Sequence, residues 1–162
     1  MSTIHIRAAT REDLPAIEVV EKNCFHADLR VSPRVLRHSL KSPTQSVWVA
    51  VTGQNEIAGA MVLYHHPRTI RIFSIAVLPA FRGSGTGRQM MEQALILARR
   101  ADCEAVTLEA ERSNRALISW YEKFGFEIKK TLSDYHSPGR HAVRMRLTLK
   151  PALKGGRVRG RS

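Results

Sequence analysis

Cysteine is scarce in this sequence, and its scarcity excludes two classes of small protein. Cys24 and Cys103 are the only two thiols among 162 residues. They are too few and too far apart for a disulfide framework or a cysteine metal cluster. The seven histidines do not recur at spacings typical of metal ligands. We therefore expect no metal site in this protein.

Long apolar runs are also missing. No apolar segment approaches the roughly 18 residues that a membrane span requires, and the N-terminal residues lack the apolar block of a secretory signal. The sequence therefore predicts a cytoplasmic protein. With 162 residues, 43% of them hydrophobic, the chain has enough apolar side chains for one sizeable core and is too short for two full domains.

Acidic residues are absent after Asp134, and this absence accounts for most of the net charge of +12. The eight cations beyond that point are Arg140, Arg144, Arg146, Lys150, Lys154, Arg157, Arg159 and Arg161. We expect a folded domain over residues 1–150, followed by a basic, disordered tail over 151–162. A solvated tail is favoured over a contact with RNA or the ribosome, which stays open as an alternative.

The spacing of apolar residues predicts seven strands and four helices in the order β-α-α-β-β-β-α-β-α-β-β. Strands are expected at 3–9, on both sides of the turn 52–55, and at 69–78, 104–110, 126–134 and 141–149; helices are expected at 10–25, 32–40, 86–100 and 114–124. The fold class is therefore α/β. It consists of a single mixed, mostly antiparallel central sheet of about seven strands flanked by about four helices.

Local signals predict where the helices begin, end and pack. Thr10 and Ser32 are candidate N-caps, and Gly125 is the expected C-terminal stop of the last helix. One apolar stripe on the helix 86–100 comprises Met90, Met91, Ala94, Leu95 and Ala98. The stripe expected on the last helix comprises Ala116, Leu117, Trp120, Tyr121 and Phe124.

A glycine-rich turn, "RGSGTGR", joins a predicted strand to the helix 86–100. Glycines at 83, 85 and 87 allow positive φ and let backbone N–H groups approach a ligand closely, while Arg82 and Arg88 flank the turn. The start of the helix adds unpaired N–H donors and the positive end of its dipole. This combination predicts a site for phosphate or pyrophosphate.

Two other phosphate loops do not fit the spacing. The dinucleotide fingerprint needs glycine where Arg88 stands, and the ATP-type loop needs Gly-Lys followed by Ser or Thr. Considered alone, the turn has one structural alternative to an anion site, namely a tight turn with two arginines facing solvent.

The motif Arg82-x-x-Gly85-x-Gly87, between "IAVLPAF" and "RQMM", resembles the acetyl-coenzyme A motif of the GNAT superfamily of N-acetyltransferases. The segments "IRAATREDLPAIEVVEKNCF" and "LEAERSNRALISWYEKFGFEI" are similar to the subgroup that acetylates protein N-termini, above all the ribosomal-protein-alanine N-acetyltransferases. The resemblance covers roughly residues 3–148 and implies the GNAT fold.

The resemblance implies acetyl-coenzyme A as the co-substrate, with no metal. The pantetheine arm would pair with a strand at Ile75, Ala76 and Val77, as an added β-strand does. The pyrophosphate would lie on the turn, whose residues are Arg82, Gly83, Ser84, Gly85, Thr86, Gly87 and Arg88. Asn114 matches the family asparagine that contacts the cofactor arm; it is also well suited to cap a helix, and both roles can hold at once.

The same resemblance implies Glu109 as the general base and Tyr121 as the proton donor. Each has a structural alternative. Glu109 alternates with Val106 and Leu108, which would suit a surface carboxylate at a strand end. Tyr121 lies within an apolar stripe, so an aromatic core residue is the competing interpretation, and the proton-donor role is favoured because the surrounding segment matches the family.

The last hairpin departs from the family pattern, in which two tyrosines and an acidic pair shape the acceptor groove. Tyr135 keeps one tyrosine as a candidate acceptor contact, His136 replaces the other, and Arg140 and His141 stand where acids are expected. A basic groove wall would favour an acidic or neutral acceptor over a strongly basic one.

Three functions remain open from the sequence. The first is acetyl transfer from acetyl-coenzyme A to the α-amino group of a protein or peptide N-terminus, and the second is the same transfer to a small-molecule amine. The third is a non-catalytic acyl-coenzyme A binding module associated with RNA or the ribosome. Retention of both Glu109 and Tyr121 argues for catalysis.

Overall fold

The computed structural model describes residues 3–149 and contains seven strands and four α-helices in the predicted order. The strands are β1 (Ile4–Ala8), β2 (Gln45–Thr52), β3 (Ile57–His65), β4 (Thr69–Val77), β5 (Ala105–Glu111), β6 (Glu127–Ser137) and β7 (Arg140–Thr148). The helices are α1 (Leu14–Cys24), α2 (Pro33–Lys41), α3 (Thr86–Arg100) and α4 (Arg115–Lys123), with short 3-10 turns at Arg11–Asp13, Ala27–Leu29 and Pro79–Phe81. The basic tail expected at 151–162 lies outside the described residues.

The strands form one seven-stranded mixed sheet in the order β1-β2-β3-β4-β5-β7-β6. The pairs β1–β2, β2–β3, β5–β7 and β6–β7 are antiparallel. The predicted fold class is confirmed.

The chain divides into two compact units. The first comprises Met1–His65 with Arg71–Ala94, and the second comprises His66–Ile70 with Leu95–Ser162. In the first unit, α1 and α2 cover an apolar core whose fully buried side chains are Ile17, Val20, Leu36 and Val49. In the second unit, the fully buried apolar side chains include Val106, Leu108, Ala142 and Met145.

The helix α3 occupies the predicted range, because a glycine turn precedes it and its apolar stripe recurs at helical spacing. Four residues of the predicted stripe, Met90, Met91, Ala94 and Ala98, are fully buried, whereas the fifth, Leu95, is half-buried. The helix α2 begins as predicted too, since the Ser32 hydroxyl accepts a hydrogen bond from the Val35 N–H.

Two local expectations need correction. Thr10 forms its capping box with Asp13 on a 3-10 turn, so the α-helix itself begins only at Leu14. On α4, the buried side chains are Ile118 and Tyr121, whereas Ala116 is exposed. The stripe predicted for α4 is therefore rotated, because burial of this short helix depends on which neighbour it packs against.

The last hairpin also differs from its prediction. The two strands are expected at 126–134 and 141–149, but β6 continues to Ser137, which pairs with Arg140, and only Pro138 and Gly139 form the turn. Gly139 has a φ of 81°, which suits a tight hairpin turn. Tyr135 and His136 therefore lie on a strand rather than in a loop.

Candidate active site

The glycine turn adopts the left-handed backbone that its sequence predicts. Gly83 and Gly85 have φ values of 82° and 87°, and a Cβ added at either one would meet nothing within 4 Å. The open space on that side lets a ligand approach the backbone directly. Gly87, by contrast, lies within α3.

The start of α3 supplies donors to the same turn. The Gln89 N–H makes the first helical bond, to the Gly85 carbonyl at 3.0 Å, so the N–H groups of Thr86, Gly87 and Arg88 precede the helical ladder. The first turn of α3 holds no acidic residue. These N–H groups, the helix dipole and the flanking arginines together favour an anion.

Arg82 is held against the end of β4 in this arrangement. Its Nε donates to the Val77 carbonyl at 2.9 Å, and its Nη2 lies 3.6 Å from the Cys24 Sγ. Cys24 also donates to the Val77 carbonyl, at 3.4 Å. Burial raises the pKa of the Cys24 thiol, so the thiol form is favoured. Arg82 thereby ties the turn to the strand, a role in addition to its positive charge.

The strand that would carry the pantetheine arm is closely packed on one face. Ala76 is buried, while Ile75 and Val77 are half-buried. A Cβ added at Gly59 on β3 would come within 2.6 Å of the Ala76 carbonyl. Glycine at 59 is therefore what permits β3 to approach this part of β4 so closely.

In the second unit, Asn114 caps α4. Its Oδ1 accepts a hydrogen bond from the Leu117 N–H at 3.2 Å. Within residues 3–149 its side-chain Nδ2 has no hydrogen-bond partner, so that group remains a donor for a ligand. The cap and the predicted cofactor contact use different atoms.

Glu109 is not the surface carboxylate that its strand position allowed. Its side chain is only 7% exposed, and its Oε2 accepts a hydrogen bond from the Arg144 Nε at 2.9 Å. The register of β5 with β7 places the two residues directly opposite each other. An ion pair across neighbouring strands fixes the orientation of this carboxylate.

Tyr121 is buried, and its side chain contacts two aromatic rings. It is 4% exposed, with ring centroids 5.3 Å from Trp120 and 5.8 Å from Phe126. Its hydroxyl has no hydrogen-bond partner among residues 3–149. Burial raises the pKa of Tyr121 above its ordinary value, which keeps the hydroxyl protonated. The structure therefore places Tyr121 in the core, with its hydroxyl as a buried polar group.

The predicted basic wall of the acceptor groove is compensated in the structure. Arg140 makes two hydrogen bonds to the Glu111 carboxylate, at 3.1 and 3.3 Å, and this contact lowers the pKa of Glu111. His141 accepts a hydrogen bond from the Asp134 N–H through Nδ1 at 3.0 Å. The positive charge predicted at Arg140 is therefore paired with Glu111, which lies 29 positions away in the sequence.

Tyr135 lies on β6 beside His136. The two rings make an edge contact with centroids 5.0 Å apart, and Tyr135 is 41% exposed. Part of its aromatic ring is therefore accessible at the surface of the hairpin.

Sequence comparison decides the family. The Acetyltransferase (GNAT) family profile matches residues 11–126. The chain belongs to the GNAT acetyltransferase family. In this GNAT chain, the glycine turn lies inside the matched region, as do Glu109, Asn114 and Tyr121, whereas the hairpin with Tyr135 lies beyond it.

Relatives of known name are similar to parts of the chain. N-alpha-acetyltransferase 30 of Homo sapiens is 31% identical over 119 residues, which are 70% of this chain and 33% of that protein. The matched region is thus about a third of that relative's length.

Solved structures show the same GNAT fold. The ribosomal-protein-S18-alanine N-acetyltransferase of Escherichia coli superposes with a TM-score of 0.83 at 22% identity, covering 94% of this chain and 97% of that one. Ard1 of Thermoplasma volcanium gives a TM-score of 0.83 at 23% identity, covering 91% and 98%.

Residues 3–149 contain no group of three or more His, Cys, Asp or Glu side chains placed to hold a metal ion. No helix in that range is long and apolar enough to cross a membrane.

Sequence reasoning missed the partners of the predicted site residues. The alternation of β5 indicated which way Glu109 points, but only strand pairing shows that Arg144 is opposite it. A second missed group is the stacked pair Tyr64 and Phe73, with ring centroids 4.7 Å apart and the Arg71 guanidinium 5.4 Å from the Phe73 ring. Arg71 and Phe73 precede Ile75 on β4 at a spacing of two, a pattern that would have placed them on one face.

Proposed function

We propose that this GNAT domain transfers the acetyl group of acetyl-coenzyme A to the α-amino group of a protein or peptide N-terminus. The observation that carries the proposal is the glycine turn, whose two left-handed glycines open the backbone beside the start of α3. The name of the human relative, an N-alpha-acetyltransferase, supports the choice of acceptor.

The residues of the turn fit a pyrophosphate. Backbone N–H groups from Gly83 to Arg88 bind the phosphate oxygens, and the two flanking arginines balance their charge. Ile75, Ala76 and Val77 hold the pantetheine arm through main-chain hydrogen bonds, and Asn114 contacts it with its side-chain amide. When bound, the co-substrate supplies an activated thioester.

Glu109 and Tyr121 handle the two protons of the reaction. The acceptor must be a neutral amine, and an α-amino group with a reference pKa near 8 costs about 3 kcal/mol less to deprotonate than a lysine. Glu109, fixed by Arg144, takes that proton, directly or through water. Tyr121 donates its hydroxyl hydrogen to the departing sulfur. Its burial keeps the hydroxyl protonated and also makes release of the proton harder, so it acts by hydrogen bonding before full transfer.

The paired charges of the last hairpin bear on the acceptor. Since Arg140 is neutralised by Glu111, the hairpin does not exclude a basic peptide by charge alone. Tyr135 contacts the first side chains of the peptide. We therefore propose a peptide acceptor without a strict charge requirement near its N-terminus.

The test is a peptide library that varies the first four residues and their charge, incubated with acetyl-coenzyme A and followed by thiol release. Tyr121→Phe removes only the hydroxyl and lowers kcat at least about a hundredfold, with binding of the co-substrate unchanged. Glu109→Gln still accepts the hydrogen bond from Arg144 but cannot take a proton, so it lowers kcat by a similar factor.

Glu122→Gln is the matched control, because Glu122 is an exposed carboxylate on α4. Its kcat stays within twofold of the parent. Turnover of small amines with none of the peptides would contradict the choice of acceptor and support the second function. A protein that binds acetyl-coenzyme A and acetylates no amine would support the non-catalytic function.

The domain organisation belongs to the same proposal. Residues 1–150 form the catalytic domain, and 151–162 form a basic tail that can contact RNA or the ribosome. Deletion of 151–162 should abolish salt-sensitive association with RNA while leaving peptide turnover intact. A cytoplasmic location stays a prediction.

A further inference from the structure

A cavity of about 230 Å³ lies in the first unit, between the 3-10 turn at the end of β1 and the last turn of α2. Its apolar lining comes from Ala9, Leu14 and Leu40. Three cationic side chains complete the lining, namely Arg11, Arg37 and Lys41. None of these residues belongs to the glycine turn or to the catalytic residues proposed above.

The cations of this cavity are not balanced by nearby carboxylates. Within residues 3–149, Arg37 and Lys41 form no ion pair, and Arg11 interacts electrostatically only with Glu12 beside it in the chain. The sequence holds no Asp or Glu between Asp28 and Glu56, so neither α2 nor β2 supplies one.

The one carboxylate buried in the adjoining turn is already engaged. Asp13 accepts hydrogen bonds from the Arg7 guanidinium at 2.8 and 3.0 Å, and from the Thr10 N–H at 2.7 Å. Its charge is therefore used by Arg7 and the capping box and does not neutralise the cavity cations.

The helix dipole does not cancel this excess either. Arg37 and Lys41 lie at the C-terminal half of α2, where the dipole is equivalent to about half a negative charge. The three cations carry three positive charges. The half negative charge of the dipole and the full negative charge of Glu12 offset about one and a half of them, so more than one unit of positive charge remains around the cavity. Because part of the cavity wall is apolar and part is cationic, it can contact the apolar chain of a ligand while the cations attract an anionic group on the same ligand.

The size and lining of the cavity identify the ligand class. At about 30 Å³ for each water-sized group, 230 Å³ holds roughly seven or eight such groups. We propose that this cavity binds a small amphipathic carboxylate of about six carbons, with its alkyl chain against Leu14 and Leu40 and its carboxylate between Arg37 and Lys41. Binding there does not depend on the proposed acetyl transfer.

The test is a titration of the ¹⁵N-labelled full chain, followed by amide chemical shifts, with hexanoate, butanoate and hexylammonium as probes. Hexanoate should shift the amides of Thr10, Leu14 and Leu40. It should bind about tenfold more tightly than butanoate, since two further methylene groups are buried. Hexylammonium, which has a chain of the same length and the opposite charge, should not shift these amides.

The double variant Arg37→Gln/Lys41→Gln should weaken the binding of hexanoate at least tenfold. The matched control is Lys22→Gln/Arg34→Gln, which removes two exposed cations of the same unit that do not line the cavity. Unchanged shifts elsewhere in each spectrum show that the variants fold. Equal weakening by both pairs, equal binding of hexylammonium, or no shift at these amides up to the solubility limit of hexanoate would overturn the proposal.

Discussion

Glu21 is a buried carboxylate that joins three parts of the first unit. Its side chain on α1 accepts hydrogen bonds from the Val31 N–H at 2.7 Å and from the Ser74 hydroxyl at 3.3 Å. The residue is 3% exposed, and burial raises its pKa despite these two donors. The hydrogen bonds hold the segment after α1 in place, but the negative charge itself opposes folding at neutral pH.

Replacement of Glu21 separates the effect of its hydrogen bonds from the effect of its negative charge. Glu21→Gln removes the charge, keeps an amide oxygen that accepts from the Val31 N–H and gains an amide N–H that can donate to the Ser74 hydroxyl. Its Tm at pH 7.5 should therefore equal or exceed that of the parent. Glu21→Ala leaves the Val31 N–H unsatisfied, at a cost of about 1–3 kcal/mol, which lowers Tm by roughly 2–4 °C per kcal/mol for a chain of this size. Differential scanning calorimetry measures both values.

The pH dependence of the folding stability shows whether the charge of Glu21 stabilises or destabilises the folded state. Because the folded pKa is raised above 4.5, the folded state binds the proton more tightly, and the parent loses stability as pH rises through the folded pKa. Glu21→Gln lacks this loss, so its advantage should grow from pH 4.5 to pH 7.5. A gap that narrows over that range would contradict the assignment.

At the scale of elements, the close approach of β3 and β4 depends on Gly59, which has no side chain. A Cβ at Gly59 would stand 2.6 Å from the Ala76 carbonyl and 3.0 Å from the Met90 methyl. The backbone there is also held by the bond from the Leu78 N–H to the Ala58 carbonyl, at 2.8 Å. Neither strand can move without straining that contact.

Gly59→Ala should therefore destabilise the protein by about 1–3 kcal/mol, the usual cost of overpacking. The same substitution should also weaken the binding of acetyl-coenzyme A, since Ile75 to Val77 would shift. The control is Gly53→Ala, where an added Cβ meets nothing within 4 Å. Urea unfolding and co-substrate titration of both variants measure the two effects; equal stability losses would show that the close approach is not the cause.

The contact between Arg140 and Glu111 joins the last hairpin to the end of β5. The two side chains are 28% and 30% exposed. Arg140→Gln and Glu111→Gln should each raise the KM for the peptide acceptor with a smaller change in kcat. A double-mutant cycle should give a coupling energy of about 0.5–1 kcal/mol. Additive effects of the two changes would show that the contact does not position the hairpin.

At the scale of the whole molecule, the excess of positive charge raises the importance of each paired carboxylate. The pKa of Asp13 is lowered, chiefly by the hydrogen bonds from Arg7. Its contribution to stability is present above its ordinary pKa of 3.8 and is lost as pH falls through the lower folded value. Acid should therefore remove this contribution only as the pH falls below 3.8.

Asp13→Asn should lower Tm at pH 7 and at pH 5 by the same amount, and the gap to the parent should shrink below about pH 4. Glu18→Gln removes an exposed carboxylate from α1 and serves as the control. Thermal unfolding followed by circular dichroism at several pH values measures the gap. A gap that stays constant down to pH 2 would contradict the role of the ionised Asp13.

Most of the elements could be predicted because their signals are local. The glycine turn, the Ser32 cap and the stripe of α3 each involve residues within one or two helical turns, and all three are found where expected. The hairpin was predicted less well. Its turn residues Pro138 and Gly139 were included in the predicted connection, but the length of β6 depends on pairing with β7.

Local signals were sufficient to infer the order of elements, the left-handed glycines at 83 and 85 and the family of the chain, because backbone preferences and motif spacings act over a few residues. The pairing of charges could not be inferred from such signals. Arg144 meets Glu109 across 35 positions and Arg140 meets Glu111 across 29, and strand register is set by the packing of whole faces. The cavity between the end of β1 and α2 depends on the same packing.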